Sequence, residues 1–126
     1  MNLHEYQGKE ILASYGVSTQ KGIVVSNADD AFAAAKKLNN ETGTEVYVIK
    51  AQIHAGGRGK GGGVKIAKSF DEVKEIAEKM IGMMLITPQT PPKGKKVRKI
   101  LIAEDVYYPG ASETKEFYIS ILLDRK

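Results

Sequence analysis

The segment 48–63 constrains the fold of this chain more than any other part of its sequence. An apolar stretch that contains one lysine, Lys50, is followed by a loop made almost wholly of glycine, arginine and lysine. A second apolar stretch, 64–67, begins directly after the loop. Glycine lets backbone N–H groups turn toward a ligand, and the basic side chains supply positive charge. We therefore expect a glycine-rich β-hairpin whose loop binds a polyphosphate.

Two well-known phosphate-binding loops do not fit this segment. A P-loop requires Ser or Thr after its Gly-Lys pair, but Gly59 and Lys60 are followed by Gly61. A dinucleotide-binding loop requires a helix after its glycines, whereas 64–67 has the pattern of a strand. If the hairpin loop does not cover a polyphosphate, the remaining alternative is a solvent-exposed glycine loop with incidental charge.

The basic side chains next to the loop support the phosphate interpretation. Lys50 is isolated in an apolar strand, where an ammonium group is costly unless a ligand or an acidic partner pairs with it. It would lie near the α- and β-phosphates of a nucleotide. Arg58 can donate two hydrogen bonds to phosphate oxygens. His54 could order the loop or contact phosphate, or it could be a structural histidine.

Hydrophobic periodicity predicts an α+β domain. Helices are expected at 2–15, with Asn2 and Glu5 forming a capping box, at 26–40, and at 69–82, where Ser69 is the N-cap. The predicted strands are 22–25, 45–51, 64–67, 84–87, 99–104 and 117–124. The segments 88–96 and 106–114 are expected to be loops.

Composition excludes several classes of function. The chain has no cysteine, which excludes disulfides, thiolate catalysis and zinc–thiolate sites. A net charge of +4 is mild for a nucleic-acid-binding protein. No apolar run is long enough to span a bilayer, and the first residues lack the apolar segment of a signal peptide. We therefore expect a cytoplasmic protein of one domain.

Several of these segments together carry a family resemblance. The opening MNLHEYQ, the run from Lys50 to Lys60, and the later Glu104 and 115–118 (KEFY) closely resemble the N-terminal region of succinyl-CoA synthetase (succinate–CoA ligase) β subunits. The resemblance covers essentially the whole chain, and HAGGRGK at 54–60 is its most specific motif. Related acyl-CoA ligases, such as malate–CoA ligase and part of ATP-citrate lyase, share similar segments.

The resemblance implies an ATP-grasp fold, with a mixed sheet and flanking helices, in which two lobes clamp a nucleotide. It implies a citric acid cycle reaction that converts succinate, CoA and ATP (or GTP) to succinyl-CoA, ADP (or GDP) and phosphate. The partner α subunit would supply the phosphorylated histidine, so neither His4 nor His54 takes that role. Magnesium is expected in the full-length enzyme. No catalytic residue and no metal ligand is expected in this chain.

The resemblance also implies specific nucleotide contacts. The implied residues are Lys50, Gly57, Arg58, Gly59, Glu104, Tyr107 and Glu116. The first four would contact the phosphates, and the two glutamates, each on a late strand, would contact the rest of the nucleotide. The base would lie near Tyr107, although the link 107–114 is longer than is usual in the family.

We also expect the chain to be one part of a larger enzyme. It ends at Lys126, directly after an apolar predicted strand, whereas family members continue into magnesium ligands and a CoA-ligase domain. The expectation is a partial ATP-grasp domain over 1–126, without the second lobe and without ligase activity on its own. The rival hypothesis is a non-enzymatic module that binds RNA or another polyanion. Aromatic side chains for base stacking are absent from the loop, which argues against it.

Overall fold

A computed structural model describes residues 3–107 and 111–121. Its elements are α1 (Glu5–Ser14), β1 (Gly22–Val25), α2 (Asp29–Thr42), β2 (Tyr47–Ala51), β3 (Val64–Ala67), α3 (Phe70–Met80), β4 (Met84–Leu85), β5 (Lys95–Lys96) and β6 (Ile100–Glu104). The predicted order of helices and strands is confirmed as far as β6, apart from the short β5. Within these described ranges, no helix is long and apolar enough to cross a membrane.

Four strands form one sheet in the order β1-β6-β2-β3, and β4 pairs with β5 in a separate ribbon. The α+β class is confirmed. All described pairings are antiparallel, where a mixed sheet had been expected. The β2–β3 hairpin is the one predicted from the glycine loop, and a direct hairpin connection makes two strands antiparallel. In this register Lys50 lies opposite Val64 on one side and Leu101 on the other.

The core lies between one face of the sheet and the helices α2 and α3. Along β2 the residues Tyr47, Ile49 and Ala51 are buried, while the two residues between them are only partly buried. Side chains alternate between the faces of a strand, so Lys50 projects from the face opposite the core. The helix residues that complete the core include Ala31, Ala35, Leu38, Val73, Ala77 and Met80.

Helix α1 begins later than the sequence pattern predicted. Its N-cap is His4, whose backbone N–H donates to the side chain of Gln7 at 2.9 Å. The predicted capping role of Glu5 is therefore wrong, because Glu5 is the first helical residue; Asn2 lies outside the described residues. The prediction for α3 is confirmed, since Ser69 accepts a hydrogen bond from the N–H of Glu72 at 3.2 Å.

The predicted late strand is not present where the structure describes it. Residues 117–121 have no strand assignment, and Phe117, Tyr118 and Ile121 are all more than 80% exposed. An apolar sequence becomes a strand only when a neighbouring strand pairs with it, and no other described strand pairs with this segment. The prediction for 117–121 is therefore wrong, and residues 122–124 lie outside the described part.

Candidate functional site

Lys50 is the internal lysine of β2, and its side chain is only 20% exposed. Its ammonium nitrogen lies 3.2 Å from the Oε1 atom of Glu5 and 2.8 Å from the Oε1 atom of Gln20. Helix α1 and the residues before β1 bring these two acceptors to the open face of the sheet. The acidic partner that a half-buried lysine requires is therefore Glu5.

Arg58 reaches the same carboxylate from the glycine loop. Its Nη2 atom is 2.7 Å from the Oε2 atom of Glu5, and its Nη1 atom donates to the carbonyl of Ala51 at 2.8 Å. Lys9, one turn along α1, adds a third cation at 3.3 Å from Glu5. We call these four residues (Glu5, Lys9, Lys50 and Arg58) the Glu5 cluster. Two of its members are predicted phosphate ligands.

The Glu5 cluster carries more positive than negative charge. Burial alone would raise the pKa of Glu5, but the hydrogen bond from Arg58 and the charges of Lys50, Arg58 and Lys9 outweigh burial and lower that pKa to about 2. The pKa of Lys9 is lowered by burial and then by repulsion from Lys50. A single carboxylate thus faces three cations, which leaves the cluster able to accept further negative charge.

The low pKa of Glu5 predicts how stability depends on pH. A carboxyl group with a lowered pKa stabilises the folded state above its unfolded value of 4.5, and this contribution is lost as pH falls toward about 2. We expect a loss of about 1 to 3 kcal/mol between those pH values. Urea unfolding from pH 6 to pH 2 would measure it. The Glu5→Gln variant should lack this loss, and an identical profile in both proteins would contradict the prediction.

The glycine loop is folded on itself and leaves several N–H groups available. Gly61, Gly62 and Gly63 donate to carbonyls within the loop at 3.3, 3.1 and 2.8 Å. By contrast, the N–H groups of 57–59 have no hydrogen-bond acceptor among the described residues. Gly57 has a φ of +70°, a conformation that favours glycine. Successive free N–H groups beside a guanidinium form a site for an anion.

A cavity of about 620 Å³ lies against these free N–H groups. The predicted residues Gly57, Arg58 and Gly59 line it, together with Glu5 and His54. Cavities of this volume are typical of sites that bind small molecules. Lys50 does not line this cavity. It is connected to the cavity because it shares the carboxylate of Glu5 with Arg58, which does line it.

Glu104 is joined to this site through Gln20. The side-chain amide of Gln20 accepts from Lys50 at 2.8 Å and donates to the backbone carbonyl of Glu104. The carboxylate of Glu104 accepts from the N–H of Lys21 at 2.7 Å. The structure thus links Lys50, Arg58 and the end of β6 in one hydrogen-bonded network.

Two of the residues predicted to contact the nucleotide do not belong to this network. Tyr107 is 61% exposed, and its N–H donates to the side chain of Asp105 at 3.0 Å. Glu116 is exposed in the segment 111–121. In the part of the chain that the structure describes, neither residue forms a hydrogen bond or ion pair with the Glu5 cluster.

Sequence reasoning missed Glu5 and Gln20 as members of the site. Glu5 had been interpreted as a capping residue, so its carboxylate was assigned to the wrong partner. Gln20 lies between two predicted elements and no local pattern marks it. Only the need of Lys50 for an acidic partner pointed toward a group of this kind.

The described residues do not contain a recognisable metal site. Nowhere in 3–107 or 111–121 do three or more histidine, aspartate or glutamate side chains come together as metal ligands. Glu5, the carboxylate nearest the cavity, is already bound by three cations. These residues do not fit a magnesium ion.

Comparison with known proteins adds evidence of a different kind. Residues 2–126 match the family model described as an ATP-grasp domain. The chain is 73% identical over 125 residues to the "Succinate--CoA ligase [ADP-forming] subunit beta" of Flavobacterium johnsoniae, covering 99% of this chain and 32% of that protein. The protein of the same name from Flavobacterium psychrophilum is 71% identical over 99% of this chain and 31% of its own length.

A more distant relative has the same name and matches a similar share of each chain. The protein of that name from Sulfurovum sp. strain NBC37-1 is 55% identical over 100% of this chain and 30% of its own length. These matches confirm the resemblance inferred from the sequence. The chain spans about a third of the length of the curated relatives it matches.

Proposed function

The chain belongs to the ATP-grasp domain family, and on that premise we propose that it is the part of a succinate–CoA ligase β subunit that binds the phosphates of ATP and ADP. One observation carries the proposal. A single carboxylate, Glu5, holds both Lys50 and Arg58, and free N–H groups of the glycine loop lie beside them. The cations around Glu5 already bind its carboxylate, and their excess positive charge allows them to bind phosphate oxygens as well.

Each group would have a distinct role toward the phosphates. The N–H groups of 57–59 would donate to oxygens at the tail of the nucleotide, and Arg58 would exchange its contact with Glu5 for one with phosphate. Lys50 would neutralise the phosphates closer to the ribose. Glu104, Tyr107 and Glu116 are proposed to contact the sugar and base. The groups of this chain would act by positioning and by charge, because phosphoryl transfer requires little else from the protein.

The activity of the whole enzyme is part of the same proposal. The relatives' names specify an ADP-forming succinate–CoA ligase, which supports ATP over GTP as the nucleotide. We propose an α subunit as partner, CoA and succinate as further substrates, and magnesium bound by residues outside this chain. A role in the citric acid cycle and a cytoplasmic location follow from the same assignment. Residues 1–126 would then be a partial ATP-grasp domain.

Calorimetric titration tests the nucleotide proposal against the polyanion alternative. The purified chain would be titrated with ADP and, separately, with a short single-stranded RNA of equal phosphate concentration. We expect saturable ADP binding with a stoichiometry of one and only weak, salt-sensitive binding of RNA. Tighter binding of RNA than of ADP would contradict the proposal and favour a polyanion-binding module.

We also expect the chain alone to lack ligase activity. It would provide phosphate contacts without the histidine that carries the phosphoryl group and without a CoA site. The measurement is succinyl-CoA formation from succinate, CoA and ATP, with a complete bacterial succinate–CoA ligase as positive control. Turnover by the chain alone would show that the catalytic groups lie within it.

A further inference from the structure

A second basic cavity lies at the end of β2, on the other side of His54 from the glycine-loop cavity. It has a volume of about 300 Å³. Its charged and titratable lining residues are His4, His54, Lys95, Lys96, Arg98 and Lys99. We call it the histidine pocket. Of the described residues that line it, none is acidic.

The cations of the histidine pocket have no carboxylate partners in the described structure. Lys95 donates to the backbone carbonyl of His54 at 2.7 Å, and Lys99 lies 3.5 Å from the hydroxyl of Tyr6. No ion pair between described residues includes any of the four. This contrasts with Lys50 and Arg58, which share Glu5. Four positive charges thus line one concavity, and no described residue supplies a counter-ion to them.

The two histidine rings complete the lining of this pocket and offer ring nitrogens to a ligand. Their rings are stacked with centroids 3.9 Å apart, and the Nδ1 atom of His4 is buried without a hydrogen-bond partner among the described residues. The pKa of His4 is lowered by burial and then by the charges of His54, Lys99 and Arg58. The first turn of α1 also begins at this point, and its N-terminus carries a partial positive charge.

We propose that the histidine pocket is a second anion site that binds a free phosphate dianion separately from the nucleotide. Orthophosphate is small enough for the cavity and offers acceptors to ammonium, guanidinium and imidazole donors at once. A phosphate group of a larger ligand has the same chemistry, but the glycine-loop cavity already accounts for a polyphosphate tail. The charge of the pocket does not depend on whether the glycine loop binds a nucleotide.

The two histidines make the test direct, because they are the only ones in the chain and both line the pocket, while His4 does not line the glycine-loop cavity. Their ring signals would be followed by NMR while orthophosphate is added at constant ionic strength. We expect saturable shifts of both rings with a dissociation constant in the millimolar range. Shifts that rise linearly without saturation would overturn the proposal, because they indicate general screening.

Paired variants locate the bound anion. Lys95→Gln combined with Lys99→Gln should weaken phosphate binding at least fivefold, while Lys36→Gln combined with Lys37→Gln, on the exposed side of α2, should leave it unchanged. Equal weakening by both pairs would overturn the proposal. Thermal unfolding of each variant would confirm that the histidine signals come from folded protein.

Competition with ADP separates this inference from the nucleotide proposal. We expect saturating ADP to leave the phosphate affinity at the histidine signals within twofold. Displacement of phosphate by ADP would overturn the second site, because the pocket would then be an extension of the nucleotide site. Failure of ADP to bind at all would count against the proposed function while leaving the phosphate titration interpretable.

Discussion

Replacing Lys50 by methionine is expected to weaken ADP binding by at least about 100-fold, equivalent to about 2.7 kcal/mol. A charge-assisted hydrogen bond contributes about 1.5 to 3 kcal/mol, and this ammonium is only 20% exposed, where water screens it poorly. Methionine keeps the length of the side chain. The fold should survive, because Glu5 retains Arg58 at 2.7 Å and Lys9 at 3.3 Å. Calorimetric titration with ADP measures the change.

Lys65→Met is the matched control for this variant. Lys65 lies on the neighbouring strand β3, is exposed, and has no ion pair with another described residue. The same loss of one positive charge there should change ADP affinity by less than about twofold, since exposed charges are screened. Equal weakening by both variants would show that only net charge matters. An unchanged affinity in Lys50→Met would remove Lys50 from the site.

The second large effect is expected from Gly61→Ala. A Cβ atom at Gly61 would overlap with the backbone oxygen of Ile86 and would lie 2.9 Å from the Cδ1 atom of Leu85. The glycine loop packs against the segment after β4 at this point, so backbone must move to admit a methyl group. We expect the free energy of unfolding to fall by about 2 kcal/mol or more. Urea unfolding followed by circular dichroism would measure it.

Gly59→Ala provides the control within the same loop. Nothing lies within 4 Å of a Cβ atom at Gly59, and its φ is not positive. Stability should therefore change by less than about 0.5 kcal/mol, as at other unhindered surface positions. Nucleotide binding should nevertheless weaken in this variant, because its methyl group would project where the phosphates are proposed to lie. Equal loss of stability in both variants would contradict the packing of the loop described above.

Much of the fold was predictable because local patterns and tertiary structure agree. The β2–β3 hairpin follows from two apolar stretches around a glycine loop, and the Ser69 cap fixes the start of α3. The segment 117–121 shows where such reasoning fails. Its apolar residues match a strand, yet strand formation depends on a partner, which a local pattern cannot specify.

Sequence reasoning predicted the basic residues of the candidate site but not its acidic residue. Lys50 and Arg58 stand out because a lysine in an apolar strand and an arginine among glycines each require an explanation. Glu5 lies 45 residues from Lys50 and 53 from Arg58 in sequence, so no local spacing connects them. Gln20, which joins Lys50 to Glu104, lies 30 residues from the first and 84 from the second in sequence. Such contacts depend on where the first turn of α1 and the segment before β1 meet the side chains of Lys50 and Arg58.

An NMR titration of the ¹⁵N-labelled chain with ADP tests the central claim most directly. If the glycine loop and Lys50 bind the phosphates, the amide signals of 57–59 should shift together in a saturable manner. The side-chain signals of Lys50 and Arg58 should shift with the same dissociation constant. Saturable binding of ADP that leaves all of these signals unchanged, and shifts signals elsewhere in the chain, would contradict the account.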